Sequence, residues 1–458
     1  MCIEVKMFPH LQHLSSDGES MIVFDVGTSL FVELDKVTAT ILEEAVIWGK
    51  WSDEACESAK KLLLFRGISE SAIDESMQHF SHLQSEGVFC DTNRSFIEKR
   101  MIIGIRAMTL NVAHTCQLGC IYCFASGGDY GTCTIPEMMS SYIGKLSVDF
   151  LLQNGDPAVN EYSILFFGGE PLLNWELIEE LTHYVEKRAK ELEKVCRLSV
   201  TTNGILLDKK RLDFLMEHEF GILISIDGDE QLHNHLRPHI DEKINSFAET
   251  KKAIDLIRHS PRSKVSGRAT ITAYCPDPQK LANYLLSAGI NNVGLQMVSG
   301  GDKDKPWMLS HSDLRKMSVG TSDMIIEDVF DSALFLSRIR NRDRCVPYGC
   351  NYLCGTMSVD SLGRIYSCHR LTGNDDHLIG CIQEGIDEMK VQRIANMVNA
   401  NSMLGCRSCW ARNLCGAHCA ANNYVMTKDG STPSSFSCYQ SQANIEASIE
   451  RYLMELKM

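Results

Sequence analysis

No apolar stretch in this sequence approaches the roughly 20 residues that a helix needs to cross a bilayer. The first 20 residues scatter Glu4, Lys6, Asp17 and Glu19 among isolated apolar positions, so the pattern of an export signal is missing. There is no internal repeat and no low-complexity tract. Positive charge is short as well. Against 59 Asp and Glu stand 45 Lys and Arg, a net charge of −14, which argues against nucleic acid or an anionic membrane as the main partner. Cysteine, by contrast, is abundant. Without an export signal, 19 cysteines point to metal rather than disulfides, and to a reducing cytoplasm with little oxygen.

At 458 residues, 44% apolar and 23% charged, the chain reads as a soluble globular protein too long for one core, with two to four domains. Residues 1–95 form a separate unit by pattern. Apolar segments Met21–Val26 and Leu30–Leu34 flank Gly27-Thr28-Ser29 as a hairpin, and helical periodicity follows over Val37–Ile47, Ser52–Leu64 and Ser69–Leu83. A hairpin with three helices outlines a winged helix. Its 7 basic and 16 acidic residues disfavour DNA binding.

From 100 to 300 strands alternate with helices. Strands are expected at Ala107–Val112, Tyr162–Phe167, Leu198–Thr202, Ile222–Ile226, Arg268–Ala273 and Asn292–Val298, with helices at Trp175–Glu193, Lys209–Glu217, Phe247–His259 and Pro278–Ala288. Six β-α units imply a parallel sheet with right-handed crossovers, an open partial barrel with its working loops at the carboxyl ends of the strands. Residues 301–344 read as a connector, 345–440 as a cysteine- and glycine-rich unit, and 441–458 as a terminal stretch whose amphipathic helix, Ala443–Lys457, packs back onto the body.

Just after the first strand comes Cys116-Gln-Leu-Gly-Cys120-Ile-Tyr-Cys123-Phe. One short loop with this spacing can wrap three corners of a cubic iron–sulfur cluster, whose usual ligands are thiolates. Chance would produce the spacing about 0.03 times in such a chain. Three ligands leave one iron open for chemistry. Gly168-Gly169-Glu170-Pro171 follows the second strand: the glycines allow close backbone approach to a ligand, and Glu170 can accept from an ammonium group. Thr201-Thr202-Asn203-Gly204 and Ser225-Ile226-Asp227-Gly228 close the third and fourth strands, where ordinary turn chemistry also favours such residues. Downstream, Cys350 and Cys368 precede Cys406-x-x-Cys409, Cys415, Cys419 and Cys438. Alone, the Cys-x-x-Cys pair would suit structural zinc. Cys2, Cys56, Cys90, Cys196, Cys275 and Cys381 lack ligand-like spacing and read as core residues, and Cys133 as buried or spare.

Together these motifs resemble the radical S-adenosylmethionine (radical SAM) enzymes that carry a SPASM extension, and among them the maturases of ribosomally made peptides that form Cys-to-carbon thioether links. The likeness spans nearly the whole chain. It rests on Cys-Ile-Tyr-Cys-Phe-Ala with Gly127-Gly128-Asp129-Tyr130-Gly131, on Phe-Phe-Gly-Gly-Glu-Pro-Leu-Leu over 166–173, and on Tyr366-Ser-Cys368-His369-Arg370. The implied fold is α/β: a partial (β/α)6 TIM-type barrel, an N-terminal winged-helix-like domain that captures a leader peptide as an added strand, and a Cys-rich SPASM domain.

The resemblance implies three [4Fe-4S] clusters. The first, on Cys116, Cys120 and Cys123, chelates S-adenosyl-L-methionine through its open iron. One auxiliary cluster falls to Cys350, Cys368 and Cys419, with a fourth ligand at Cys345, the slight favourite, at Cys354, or vacant. The other falls to Cys406, Cys409, Cys415 and Cys438. Asn351–Gly355 departs from relatives, which more often carry small residues there and have no counterpart of Cys354.

For the cofactor, the resemblance implies Gly168, Gly169 and Glu170 at the methionine amino group and Thr201, Asn203, Ser225 and Asp227 toward ribose and carboxylate. It implies Arg237, after His233 and Asn234, on the carboxylate unless it makes a surface ion pair. Gln296, with Met297, lines an adenine pocket, as do Tyr122 and Phe124 unless they pack under the loop. The implied reaction is reductive cleavage of S-adenosylmethionine, hydrogen abstraction from a precursor-peptide residue by the 5′-deoxyadenosyl radical, and thioether formation, with flavodoxin or ferredoxin as electron donor. Sulfatase maturation, carbon–carbon cross-linking and a zinc-bearing scaffold are the alternatives.

Overall fold

The computed structural model describes residues 5–6, 11–14, 20–25, 28, 30–48, 50–89, 104–131, 137–261, 264–298, 304–320, 332–340, 349–350, 352–353, 355–407 and 409–456. Cys2, Cys90, Cys133, Cys345 and Cys354 therefore lie outside the described residues, and with them the question of the fourth ligand.

A ten-stranded sheet organises the molecule. Six of its strands, Ala107–Ala113, Glu161–Gly168, Val195–Thr202, Gly221–Ser225, Ser266–Ile271 and Asn292–Met297, lie side by side in chain order and pair in parallel. Asn292–Met297 remains an edge, so the barrel does not close. Side-chain alternation explains the layers. In the second strand Tyr162, Ile164 and Phe166 are buried toward the helices, while Ser163, Leu165 and Phe167 take the other, half-exposed face. Helix Trp175–Glu191 covers that core with Leu177, Ile178, Leu181 and Val185 at helical spacing. Helices Lys209–Glu217 and Pro278–Ala288 begin where Asp208 and Asp277 accept from the N–H of Arg211 and Lys280.

The carboxy-terminal region is built onto the same sheet. Thr356–Val359 pairs in parallel with the first barrel strand, and Arg364–Tyr366, Leu378–Cys381 and Gly385–Ile386 continue it antiparallel. Buried Asn111 fastens the seam by donating to Ser358 Oγ at 2.8 Å and Val359 O at 3.0 Å.

At the other end of the chain, Leu11–Leu14, Ser20–Asp25 and Leu30–Asp35 form an antiparallel sheet beside helices Lys36–Ile47, Asp53–Phe65 and Glu70–Ser85. Its first strand and the small pairing of Val5–Lys6 with Lys50–Trp51 were not expected from the sequence. Val23 and Leu34 face that unit's own helices. Phe24 and Phe31 face the opposite way, onto Ile445, Ile449 and Tyr452 of the terminal helix. That helix runs Ser435–Leu456, eight residues longer at its start than the periodicity of 443–457 indicated, so Cys438 sits in its first turn. Inside the 301–344 segment are helices His311–Gly320 and Ser332–Arg340. No described helix is long and apolar enough to cross a membrane.

Candidate active site at the barrel mouth

The loop carrying Cys116, Cys120 and Cys123 leaves the first strand at Ala113 and is held from two sides. Gly119 N–H donates to Pro238 O at 2.8 Å, Ile121 N–H to Leu236 O at 3.0 Å, and Ile240 N–H to Gln117 O at 2.9 Å, so the segment after the fourth strand pins it. On the other side Gly169 N–H donates to Ala113 O and Glu170 N–H to Thr115 O. The approach is close enough to dictate glycine. A Cβ on Gly168 (φ +131°) would lie 2.1 Å from Ala113 O, and one on Gly169 2.2 Å from Thr115 O. Buried His114 closes the loop from beneath, its Nδ1 2.9 Å from Gly128 O and its Nε2 accepting from Ser361 N–H.

Burial pushes the Cys116 thiol up to about 11 and the Cys120 thiol up to about 12. At neutral pH these become thiolates only when a metal's charge compensates for desolvation. Donors are in place for the charged sulfurs: Leu118 N–H on Cys116 Sγ at 3.4 Å, Asn203 Nδ2 on the same sulfur at 3.8 Å, and Gly127 N–H on Cys123 Sγ at 3.4 Å. Among the described residues, no cysteine set brings three sulfurs within 4.8 Å of one another. One tetrahedral zinc with Zn–S bonds of about 2.3 Å needs sulfurs about 3.8 Å apart. The three sulfurs are therefore not gathered around a single-ion position.

Glu170, expected to meet an ammonium group, is fully buried and committed elsewhere. It accepts from Leu172 N–H at 3.0 Å, Thr202 Oγ1 at 2.7 Å and Asn203 N–H at 2.8 Å. Burial pushes its carboxyl up to about 7 despite those donors. It thus ties the second strand's end to the third and aims Asn203 at Cys116. Asp227 and Arg237, expected at the cofactor, hold each other: Asp227 is fully buried and accepts from Arg237 Nε at 2.8 Å, Thr270 N–H at 2.8 Å and the Tyr122 hydroxyl. Arg237 also lies 5.5 Å over the Tyr122 ring. A buried carboxylate takes the nearest guanidinium because leaving either unpaired is costly. His233 and Asn234 are structural: His233 Nδ1 accepts from Asp227 N–H, and Asn234 Oδ1 accepts from Ser246 Oγ and Phe247 N–H.

A cavity of about 450 Å³ opens over this loop. Its lining includes Tyr122, Phe124, Gly168, Gly169, Thr201, Asn203, Ser225, Arg237, Gln296 and Met297, but not the carboxylates of Glu170 and Asp227. Cys116, Cys120 and Cys123 line it from the barrel, and Cys350, Cys368, Cys415 and Cys419 from the carboxy-terminal region. Tyr352 lies within electrostatic reach of Cys368, Cys350 and Cys419 together. A second, smaller cavity gathers Cys406, Cys409, Cys415 and Cys438. Cys415 lines both cavities, so the two carboxy-terminal cysteine groups adjoin there.

Four residues in and beside this site had no assigned role from the sequence. His369 stands edge-on to Phe124 and Phe167 at 6.0 and 5.2 Å. Arg370 donates to Cys419 Sγ at 3.5 Å and Asn422 Oδ1 at 2.6 Å while lying over Phe124. Arg268 points inward from the fifth strand, and Gln117 Nε2 donates to Asn203 Oδ1. The alternation of the fifth strand signals Arg268; long-range contacts alone reveal the others.

A half-open parallel barrel with three clustered thiols on its first loop defines a radical SAM domain. Residues 110–272, which carry that loop, match the model of the radical SAM superfamily. It is 22% identical over 329 residues to the radical SAM cyclopropyl synthase TigE of Paramaledivibacter caminithermalis, covering 66% of each chain. The structure of native anSMEcpe with bound AdoMet and Kp18Cys peptide superposes with a TM-score of 0.63 at 19% identity, over 76% of this chain and 98% of that one. Streptococcus suis SuiB bound to its precursor peptide SuiA gives 0.50 at 16% identity, over 95% and 100%. At these identities the two structures bear on the fold.

Proposed function

We propose that this chain is a radical SAM maturase of a ribosomally made precursor peptide, and that it links a substrate cysteine sulfur to a carbon of the same peptide. One observation carries the reading: a single cavity of about 450 Å³ is lined by Cys116, Cys120 and Cys123 on one side and by Cys350, Cys368 and Cys419 on the other. A peptide residue in that space would face the first cysteine set while a neighbouring thiol reaches the second. Two of the similar proteins are solved with peptides bound, which supports a peptide as the substrate class.

In this reading the three [4Fe-4S] clusters and S-adenosylmethionine supply the electron transfer and the hydrogen-abstracting radical. The chain supplies position and shielding. Thr201, Ser225 and Gln296 offer hydrogen bonds to a polar cofactor from the ends of the third, fourth and sixth strands. Phe124, Phe167 and His369 form a wall that keeps water from the reacting carbon. Cys350, the exposed member of its set, is the corner a substrate thiol would approach. The outer edge of Leu30–Asp35 would take the leader as an added strand, and an electron donor such as flavodoxin or ferredoxin completes the cycle. The domains expected at 1–95, 100–300, 301–344, 345–440 and 441–458 divide these tasks.

A second reading, carbon–carbon bond formation, is favoured by the likeness to a cyclopropyl synthase. Anaerobically reconstituted enzyme, given a cysteine-containing leader-plus-core peptide, separates the two. Thioether formation yields a product lighter by two hydrogens with one thiol no longer alkylatable. A lighter product with every thiol free supports the second reading, an aldehyde supports formylglycine chemistry, and 5′-deoxyadenosine beside unaltered peptide refutes both proposed linkages.

A further inference from the structure

The geometry points to a separate binding site for one first-row divalent transition ion, of the zinc or nickel type, on the outer face of the barrel at His183, Glu186 and His218. His183 and Glu186 are three residues apart on helix Trp175–Glu191 and so share a face. His218 caps the carboxyl end of Lys209–Glu217, where the helix dipole favours a cation. One ligand atom from each residue lies within 4.8 Å of the others. His218 Nδ1 is 2.6 Å from Glu186 Oε1, and the two imidazoles stand edge-to-face at 5.0 Å.

Phe214 gives these groups a common floor, its ring 4.3 Å from His218 and 5.6 Å from His183. Metal bonds of about 2.0–2.2 Å require ligand atoms about 3.0–3.5 Å apart. Small side-chain rotations close the gap. The His218 side chain is only 12% exposed and Glu186 is 49% exposed, so the carboxylate has the room to adjust to the held imidazoles. Solvent on the open side completes the coordination shell with water.

Two imidazoles and a carboxylate suit zinc, nickel or ferrous iron, whereas magnesium and calcium prefer all-oxygen sites. The ion would join the helices that follow the second and third strands, whose carboxyl ends carry Gly168–Pro171 and Thr201–Gly204. It is a brace for those two β-α units, independent of the radical chemistry.

Cluster-loaded enzyme dialysed against micromolar Zn²⁺, with metal analysis, tests the site. The expected result is one zinc per chain beyond the cluster content, with iron and sulfide unchanged, and a thermal midpoint that rises with zinc. His183→Ala, an exposed change that spares the fold, should weaken binding at least tenfold, as should His218→Ala. Glu186→Gln should weaken it less, and Mg²⁺ should not compete. Equal zinc uptake by wild type and the His183→Ala/His218→Ala double variant would overturn the site, as would zinc uptake matched by iron loss. Absence of uptake would show that the triad is an ordinary His–Glu contact.

Discussion

Replacing Arg237 with Met while leaving Asp227 in place strips the countercharge from a carboxylate that is 0% exposed. Two uncharged donors would remain, Thr270 N–H and the Tyr122 hydroxyl. Breaking one side of a buried pair costs about 3–5 kcal/mol. That cost falls on the segment whose backbone meets the cysteine loop at Leu236, Pro238 and Ile240. At 1.4 kcal/mol per decade, opening of that segment becomes roughly 10²- to 4 × 10³-fold more frequent. Asp227→Asn/Arg237→Met removes both charges and should cost about 1–2 kcal/mol, the scale of lost hydrogen bonds. Iron release to a ferrous chelator under anaerobic conditions is the assay, with the urea midpoint measured alongside. The single variant should lose iron faster than the double. If it retains iron as well as the double does, the ion pair is not what secures the loop.

Cys116→Ala, Cys120→Ala and Cys123→Ala should each abolish 5′-deoxyadenosine formation, measured by chromatography of reduced reaction mixtures. Gly169→Ala should cost several kcal/mol or leave the protein insoluble, because its Cβ has backbone oxygens at 2.2 and 2.7 Å; wild-type solubility and midpoint would contradict the close approach. Burial raises the thiols of Cys116, Cys368 and Cys415 to about 11 and those of Cys120 and Cys406 to about 12. Each must lose a proton to bind iron, so loading of stripped protein should release protons and grow more favourable from pH 7 to 8.5; pH-independent loading would refute this. Arg370→Met removes a cationic donor from Cys419 Sγ and should lower the potential of a cluster bound there, read by redox titration followed by EPR.

Local signals were legible where a residue's neighbours in sequence are also its neighbours in space. The limits of Lys209–Glu217 and Pro278–Ala288 follow from their Asp caps, and the six parallel strands from apolar runs ending in small or polar residues. Helices Ser141–Asn154 and Glu230–Leu236 are not evident in the sequence, the first because Gly144 and the polar Lys145 and Ser147 break up its apolar periodicity. Cys438 lies in the first turn of the terminal helix, which starts eight residues before the amphipathic periodicity becomes visible. Side-chain roles were harder. Glu170, Asp227 and Arg237 are chemically fit to hold a cofactor, and only three-dimensional proximity reveals that buried partners satisfy them first. Contact of Phe24 and Phe31 with the terminal helix joins residues more than 400 apart, and no periodicity encodes it.

The proposed chemistry depends on an open iron corner at Cys116, Cys120 and Cys123 that would bind S-adenosylmethionine. EPR of the reduced protein, with Cys350, Cys368, Cys406 and Cys409 replaced to silence the carboxy-terminal sets, tests it most directly. The expected result is a four-iron signal whose g-values change when S-adenosylmethionine is added. A signal indifferent to the cofactor, or colourless protein with zinc on those three thiolates, would contradict it.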